Sequence, residues 1–229
     1  IGSDDTGIFS TNLQNEYLHI YKVLRERLNE DEALEKIRYL ISTSKAYTFK
    51  KQDEIYTPSY AVLKLYKHMK KDKELIIWEC AETPKKNGKI GTFFEKKNAK
   101  VIRTCIHEGA DFLSTELPLG TTHIITNPPF SMKNDFLKRC FEFTKQGVEF
   151  ALLLPLAALE TKERTELYKD YGFSVLMFDT RVEFEGSNGS PPFASIWLCS
   201  PNFFGAEKAN QIIFDTLDKP KKEKNWNVP

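Results

Sequence analysis

The sequence predicts an α/β domain: a mostly parallel sheet covered by helices, an antiparallel strand pair at one end of it, and an N-terminal helical extension. Three observations carry this. From residue 75 onward, short apolar runs alternate with segments of helical periodicity. The runs are continuously hydrophobic, as strands buried on both faces are. The last two runs are joined by a polar, Gly/Ser/Pro-rich link that is too short for a crossover helix, so they pair antiparallel.

The elements follow in order. Leu13, Tyr17, Ile20, Tyr21, Leu24 and Leu28, then Leu34, Ile37, Leu40 and Ile41, keep a three-four spacing, which predicts two amphipathic helices over 11–45, broken near Asn29. Thr57-Pro58 opens a third, because Thr can cap and Pro is at ease in a first turn. It runs through Leu63, Leu65, Tyr66 and Met69 to the basic stretch Lys70-Lys71-Asp72-Lys73. Strands are expected at 75–78, 100–102, 123–126, 149–154 and 174–178, with helices over 136–143 and 161–171. The link 185–192 leads into a last strand over 194–199. The chain is thus divided into an N-terminal helical extension (1–48), the α/β domain (49–205) and a C-terminal helix with a Lys-rich tail (206–229).

Composition narrows the function. With 33 Lys+Arg against 32 Asp+Glu in 229 residues, the net charge is +1. That excludes coating nucleic acid by bulk charge and leaves a local basic face as the route to it. Lys67, Lys70, Lys71, Lys73, Lys85, Lys86, Lys89, Lys96, Lys97 and Lys100 read equally well as a phosphate-contacting stripe and as solvated helix faces. No run approaches the roughly eighteen apolar residues of a membrane span. Ile1-Gly2-Ser3-Asp4-Asp5 has no secretory character, so a cytoplasmic protein is expected. Cys80, Cys105, Cys140 and Cys199, and His19, His68, His107 and His123, are scattered without C-x-x-C or H-E-x-x-H spacing. Reduced, buried thiols and no metal are expected.

One motif carries chemistry. Asn127-Pro128-Pro129-Phe130 follows directly on the strand His123 to Thr126, at the carboxyl edge of the sheet. Two prolines hold the backbone in a fixed extended turn with its carbonyls exposed. The group suits methylation of an exocyclic amine on a planar base, whose nitrogen is a poor nucleophile because its lone pair is delocalised. If the Asn127 side-chain oxygen and the Pro128 carbonyl each accept one amine N–H, the lone pair localises. Phe130 would stack on the base.

With this motif the chain resembles the class I S-adenosylmethionine-dependent amino-methyltransferases, which are Rossmann-like, and in particular the small phage- and prophage-type adenine-N6 DNA methyltransferases. The resemblance spans about residues 54–199 and rests on an ordered series: Ile55-Tyr56-Thr57-Pro58, Ile77-Trp78-Glu79-Cys80-Ala81, Gly109-Ala110-Asp111-Phe112-Leu113, Asn127 to Phe130, Leu152-Leu153-Leu154-Pro155-Leu156 and Arg181-Val182-Glu183-Phe184. It implies S-adenosylmethionine as cofactor. Tyr56, Thr57 and Pro58 would lie over its methionine end, with Glu79, Cys80 and Ala81 in the turn beneath. Asp111 would accept a hydrogen bond from its adenine amine, and Phe112 would pack on that ring. Asn127, Pro128, Pro129 and Phe130 would be catalytic, with Phe130 and Phe184 walling the target-base pocket. DNA is the implied partner, with RNA adenine or a protein amide as alternative acceptors. The N-terminal helices are a candidate homodimer or partner surface.

Two positions depart from the family pattern. The turn after the first strand, Glu79-Cys80-Ala81-Glu82-Thr83-Pro84, has no glycine before Gly88. The end of the second strand, Val101-Ile102-Arg103-Thr104-Cys105-Ile106, lacks the acid that would hold both ribose hydroxyls. Both fall in the cofactor pocket. They predict a pocket that is weakened or rebuilt, and they keep open a second function, a degenerate methyltransferase fold that binds nucleic acid or a partner without turnover.

Overall fold

A computed structural model describes residues 13–38, 57–81, 88–184 and 193–219. The chain forms two compact units, Ile1–Glu54 and Ile55–Pro229. In the first, helix α1 (Leu13–Arg25) is followed by helix α2 (30–38). Asn29 separates them by capping α2. Its Oδ1 accepts the Glu32 amide at 2.9 Å, and Glu32 Oε2 accepts the Asn29 amide at 3.3 Å, a reciprocal capping box.

The second unit runs α3 (Ser59–His68), β1 (Ile76–Glu79), α4 (Lys89–Glu95), β2 (Lys100–Arg103), β3 (His123–Thr126), α5 (Lys133–Thr144), β4 (Glu149–Pro155), α6 (Lys162–Tyr171), β5 (Ser174–Phe178), β6 (Ser195–Cys199) and β7 (Ile212–Asp215). The sheet has seven strands in the order β2-β1-β3-β4-β6-β5-β7. β2, β1, β3 and β4 are mutually parallel. β6 is antiparallel to both β4 and β5, and β5 and β7 are parallel.

Alternation along each strand sends side chains to opposite faces, and two apolar layers result. Ile77, Ile125, Leu153, Leu176 and Trp197 pack with Ala61, Leu65, Ile90 and Phe94 of α3 and α4. Trp78, Ile124, Leu152, Val175 and Leu198 pack with Leu137, Cys140 and Phe141 of α5 and Tyr168 of α6. Helices on both faces make this a Rossmann-like, doubly wound sheet. That is why β3 and β4 read as unbroken apolar runs.

The antiparallel pair of β6 and β5 lies towards one end of the sheet, as expected, with β7 added beyond it. Two other expectations need correction. The C-terminal helix expected after residue 206 is a single 3₁₀ turn, Ala206–Lys208, followed by β7. The β-branched run Ile212-Ile213 before Phe214 favours a strand, and Ile213 packs on the core while Phe214 stays exposed. Thr57 does not cap α3, since Pro58 holds the N-cap position with extended φ/ψ and its carbonyl takes the Ala61 and Val62 amides. Lys70, Lys71 and Lys73 precede the start of β1, while Lys96, Lys97 and Lys100 precede or open β2. These lysines therefore lie at the amino-terminal edge, opposite the strand ends that carry the motif. Lys70 pairs with Asp72, and Lys71 donates to the Tyr66 and Met69 carbonyls at 2.7 and 2.8 Å.

β7 is held by charge as well as by pairing. Lys64, buried on α3, contacts Asp215 at 3.2 Å and Asp218 at 2.9 Å, and His68 Nε2 lies 2.8 Å from Asp215. The hydrogen bond to Asp218 raises the Lys64 pKa above its ordinary value, against the opposing effect of burial. Lys64→Met is expected to destabilise the domain by about 1–3 kcal/mol, the range for a charged hydrogen bond lost from a partly buried site. Hydrogen exchange should show the extra opening concentrated at residues 212–215, and exchange that rises uniformly would contradict this account.

Candidate functional site

The carboxyl ends of β1, β2, β3 and β4 lie along one edge, joined there by the start of the antiparallel β6, where Ser195 pairs with Pro155. β1 has the earlier-ordered β2 on one side and β3 on the other, so the winding reverses at β1. Such switch points leave a crevice beyond the strand ends.

Glu79 ends β1 and is only 4% exposed. Its Oε1 accepts a hydrogen bond from the Ala81 amide at 3.2 Å and a short one from Thr126 Oγ1, the last residue of β3. Asn127 follows at once, and its Oδ1 is shielded from solvent. Cys80 is buried beside them, and burial pushes its thiol well above the ordinary range, so it is a packing residue and not a nucleophile.

After the motif the backbone makes a 3₁₀ turn, Phe130–Met132, closed by the Met132 amide on the Pro129 carbonyl at 2.9 Å. Lys133 Nζ donates to the Phe130 carbonyl at 3.1 Å and brings a positive charge next to the motif. The Phe130 ring meets Phe184 edge-on at 6.5 Å and Phe193 edge-on at 5.5 Å. Phe184, expected from the sequence beside Phe130, touches that ring. Phe193 was missed, and its one sequence signal was an aromatic directly after the Pro191-Pro192 pair. Tyr60 braces this wall: its hydroxyl donates to the Glu183 carbonyl at 3.2 Å and accepts the Glu183 amide at 2.9 Å.

Two arginines that sequence reasoning also missed fix the flanking loops from behind. Arg139 on α5 donates to the Leu113 and Thr115 carbonyls at 2.7 and 2.8 Å. Arg164, 3% exposed on α6, donates to the Ala158, Ala157 and Glu160 carbonyls and to Asn134 Oδ1 at 2.7 Å. In a string of Lys and Arg on polar helices, nothing distinguishes these two from solvated neighbours.

The expected cofactor residues divide. Tyr56 lies outside the described residues. Thr57 and Pro58 are buried, and Thr57 Oγ1 is enclosed with no hydrogen-bond partner among the described residues, a polar atom that a ligand could satisfy. Asp111 is partly exposed, and its Oδ1 accepts the Leu113 amide at 3.0 Å, which shapes its own turn. Phe112 is corrected. It is 2% exposed and stacked on Phe136 at 4.5 Å, with Trp78 at 5.1 Å, so it belongs to the core. Thr104, standing where the ribose acid would be, accepts the Trp78 indole N–H at 2.9 Å. Thr57, Glu79 to Ala81 and Asp111 are the groups here that could hold S-adenosylmethionine, and β2 offers no carboxylate to anchor a ribose. Among the described residues, no group of three or more His, Cys, Asp or Glu side chains could hold a metal, and no helix is long and apolar enough to cross a membrane.

No protein-family model matches the chain, and no curated protein matches it. Among solved structures it is similar to the 23S rRNA methyltransferase ErmE, at 14% identity and a TM-score of 0.41 over 63% of this chain and 69% of that one. It is similar to the type I restriction-modification system methyltransferase subunit from Streptococcus thermophilus at 12% identity and a TM-score of 0.43, over 81% of this chain and 52% of that one. A protein from Listeria monocytogenes described as a class I S-adenosylmethionine-dependent methyltransferase matches at 15% identity and a TM-score of 0.42, over 92% and 76%.

Proposed function

We propose that this chain transfers a methyl group from S-adenosylmethionine to the N6 amine of adenine in DNA. One observation carries the reading: Asn127-Pro128-Pro129-Phe130 sits at the carboxyl end of β3, beside the switch point, with Phe184 and Phe193 facing the Phe130 ring. When bound, the cofactor supplies an electrophilic methyl group on a sulfonium. The protein's part is to make the amine attack it. Asn127 Oδ1 and the Pro128 carbonyl accept the two amine protons' hydrogen bonds and draw the nitrogen towards tetrahedral geometry. Phe130 fixes the base plane, and Phe184 and Phe193 hold that ring in turn. Glu79 to Ala81, Thr57, Pro58 and Asp111 hold the cofactor. A duplex substrate has to present its base flipped out of the stack, and Lys133 is the cation placed to meet its backbone near the motif.

A second reading, a fold of this class that binds without turnover, is favoured by Thr104, a hydroxyl with one lone pair already taken by the Trp78 indole, standing where a carboxylate would hold the ribose. One experiment separates the two. The purified chain is given S-adenosylmethionine with a tritiated methyl, together with DNA, RNA and protein pools, and cofactor binding is followed by calorimetry. Label on adenine N6 of DNA is the expected result. Label only in RNA or protein reassigns the acceptor. Saturable binding without label, or no binding by folded protein, overturns the enzymatic reading.

A further inference from the structure

Thr126 has no role in the chemistry outlined above, yet its hydroxyl is completely buried and donates to the Glu79 carboxylate, with the Cys80 thiol as a second hydrogen-bonding neighbour. That carboxylate oxygen also receives the Ala81 amide at 3.2 Å. A single oxygen thus ties the turn that leaves β1 to the residue immediately before Asn127. The two strands are neighbours, in register at Trp78 opposite Ile124. Beyond that pairing, main-chain ladder bonds end, and side chains must set how the two strand ends lie relative to each other.

We propose that Thr126 is a positioning residue that couples occupation of the crevice at Glu79 to Ala81 to the alignment of Asn127 and Pro128 on the acceptor amine. The proposal rests on the methyltransferase reading above and deepens it. Its physical basis is the strength of a hydrogen bond to a buried carboxylate. A ligand that settles on the turn at Ala81 must move or fix the Glu79 carboxylate, and the carboxylate carries Thr126 with it. Because Thr126 Oγ1 lies one residue from Asn127, a small displacement there alters whether the Asn127 oxygen meets an amine proton. Thr126 would touch neither cofactor nor substrate.

The test uses Thr126→Val, which preserves shape and removes the donor, and Thr126→Ser, which restores the donor. Three quantities are measured on each purified 229-residue chain: calorimetric affinity for S-adenosylmethionine, kcat and KM for methyl transfer, and amide exchange over residues 126–132 with and without cofactor. In the wild type, cofactor is expected to slow exchange in that segment. Thr126→Val is expected to lose this protection and to lower kcat about ten- to hundredfold, the range for a hydrogen bond to a charged group, with cofactor affinity and KM nearly unchanged. Thr126→Ser is expected to recover most of both. A variant that keeps wild-type kcat and protection, or loses kcat and KM together in proportion to lost folded protein, overturns the coupling alone. A wild type that fails to bind the cofactor overturns the methyltransferase reading itself, and the coupling falls with it.

Discussion

Asn127→Ala is expected to lower methyl transfer to adenine-containing DNA by about two to three orders of magnitude, the cost of removing one preorganised hydrogen-bonding group at a reacting centre. The loss should appear in kcat, because the amine becomes nucleophilic only as its lone pair localises, an interaction that strengthens towards the transition state. Asn127 extends from β3 at the carboxyl edge, and its backbone is set by the two prolines that follow. The variant should therefore fold, and it should bind S-adenosylmethionine with wild-type affinity. Asn127→Asp places an acceptor at the same point but adds charge, and it is expected to retain more activity than alanine. Single-turnover assays on a labelled oligonucleotide settle the matter: wild-type kcat in Asn127→Ala would remove the motif from the chemistry.

Acidification is expected to destabilise the second unit by about 3 kcal/mol between pH 6.5 and pH 4 through one residue, His123. It opens β3 and is 2% exposed, and burial, aided by the nearby positive charge of Lys73 against a smaller opposing effect of Asp72, lowers its pKa from 6.5 to about 4. Above pH 6.5 the imidazole is neutral in both folded and unfolded chains and stability is at its full value. As the pH falls below 6.5, the unfolded chain takes up a proton that the folded one refuses, and stability drops by as much as about 1.4 kcal/mol per pH unit. Near pH 4 the folded protein is protonated too and the loss levels off. His123→Gln keeps a group able to meet Thr122 Oγ1, 2.9 Å away in the native chain, and should flatten this slope. Urea denaturation of both proteins from pH 7 to pH 4 measures it, and parallel curves would exclude His123 as the cause.

What could be read in the sequence follows from what each residue needs from distant ones. The parallel strands were legible because Ile124-Ile125 and Leu152-Leu153-Leu154 are buried on both faces, so local composition reports the tertiary environment. The position of Asn127 to Phe130 at the end of β3 was legible because the four residues are consecutive and follow directly on an apolar run. The helix break at Asn29 was legible too, although the capping box that makes it lies in the next four residues. Phe112 misled because an aromatic beside an acid looks the same whether it stacks on a ligand or on Phe136, and only the fold places α5 over it. β7 was missed because Ile212 to Phe214 is a short run beside charged residues, and the partner of its Asp215, Lys64, stands 151 residues earlier. Phe193 escaped because β6 runs backwards: its beginning, not its end, reaches the carboxyl edge.

The same backward strand has a kinetic consequence. The wall around Phe130 is closed by contacts between segments far apart in the chain, with Tyr60 and Glu183 separated by 123 residues and Trp197 and the Ala61 carbonyl by 136. Loops of that length are closed only at an entropic cost, and contacts of high sequence separation slow folding. β1 to β4 can assemble from residues 76–155 with the motif already at their edge, but the aromatic enclosure waits for β6 to insert between β4 and β5. A folding intermediate lacking that strand would carry Asn127 and its prolines on an open sheet, exposing the edge of β4 to pairing with another chain. Activity should therefore recover later than helical circular dichroism when the protein refolds, and the interval between the two reports the insertion of β6.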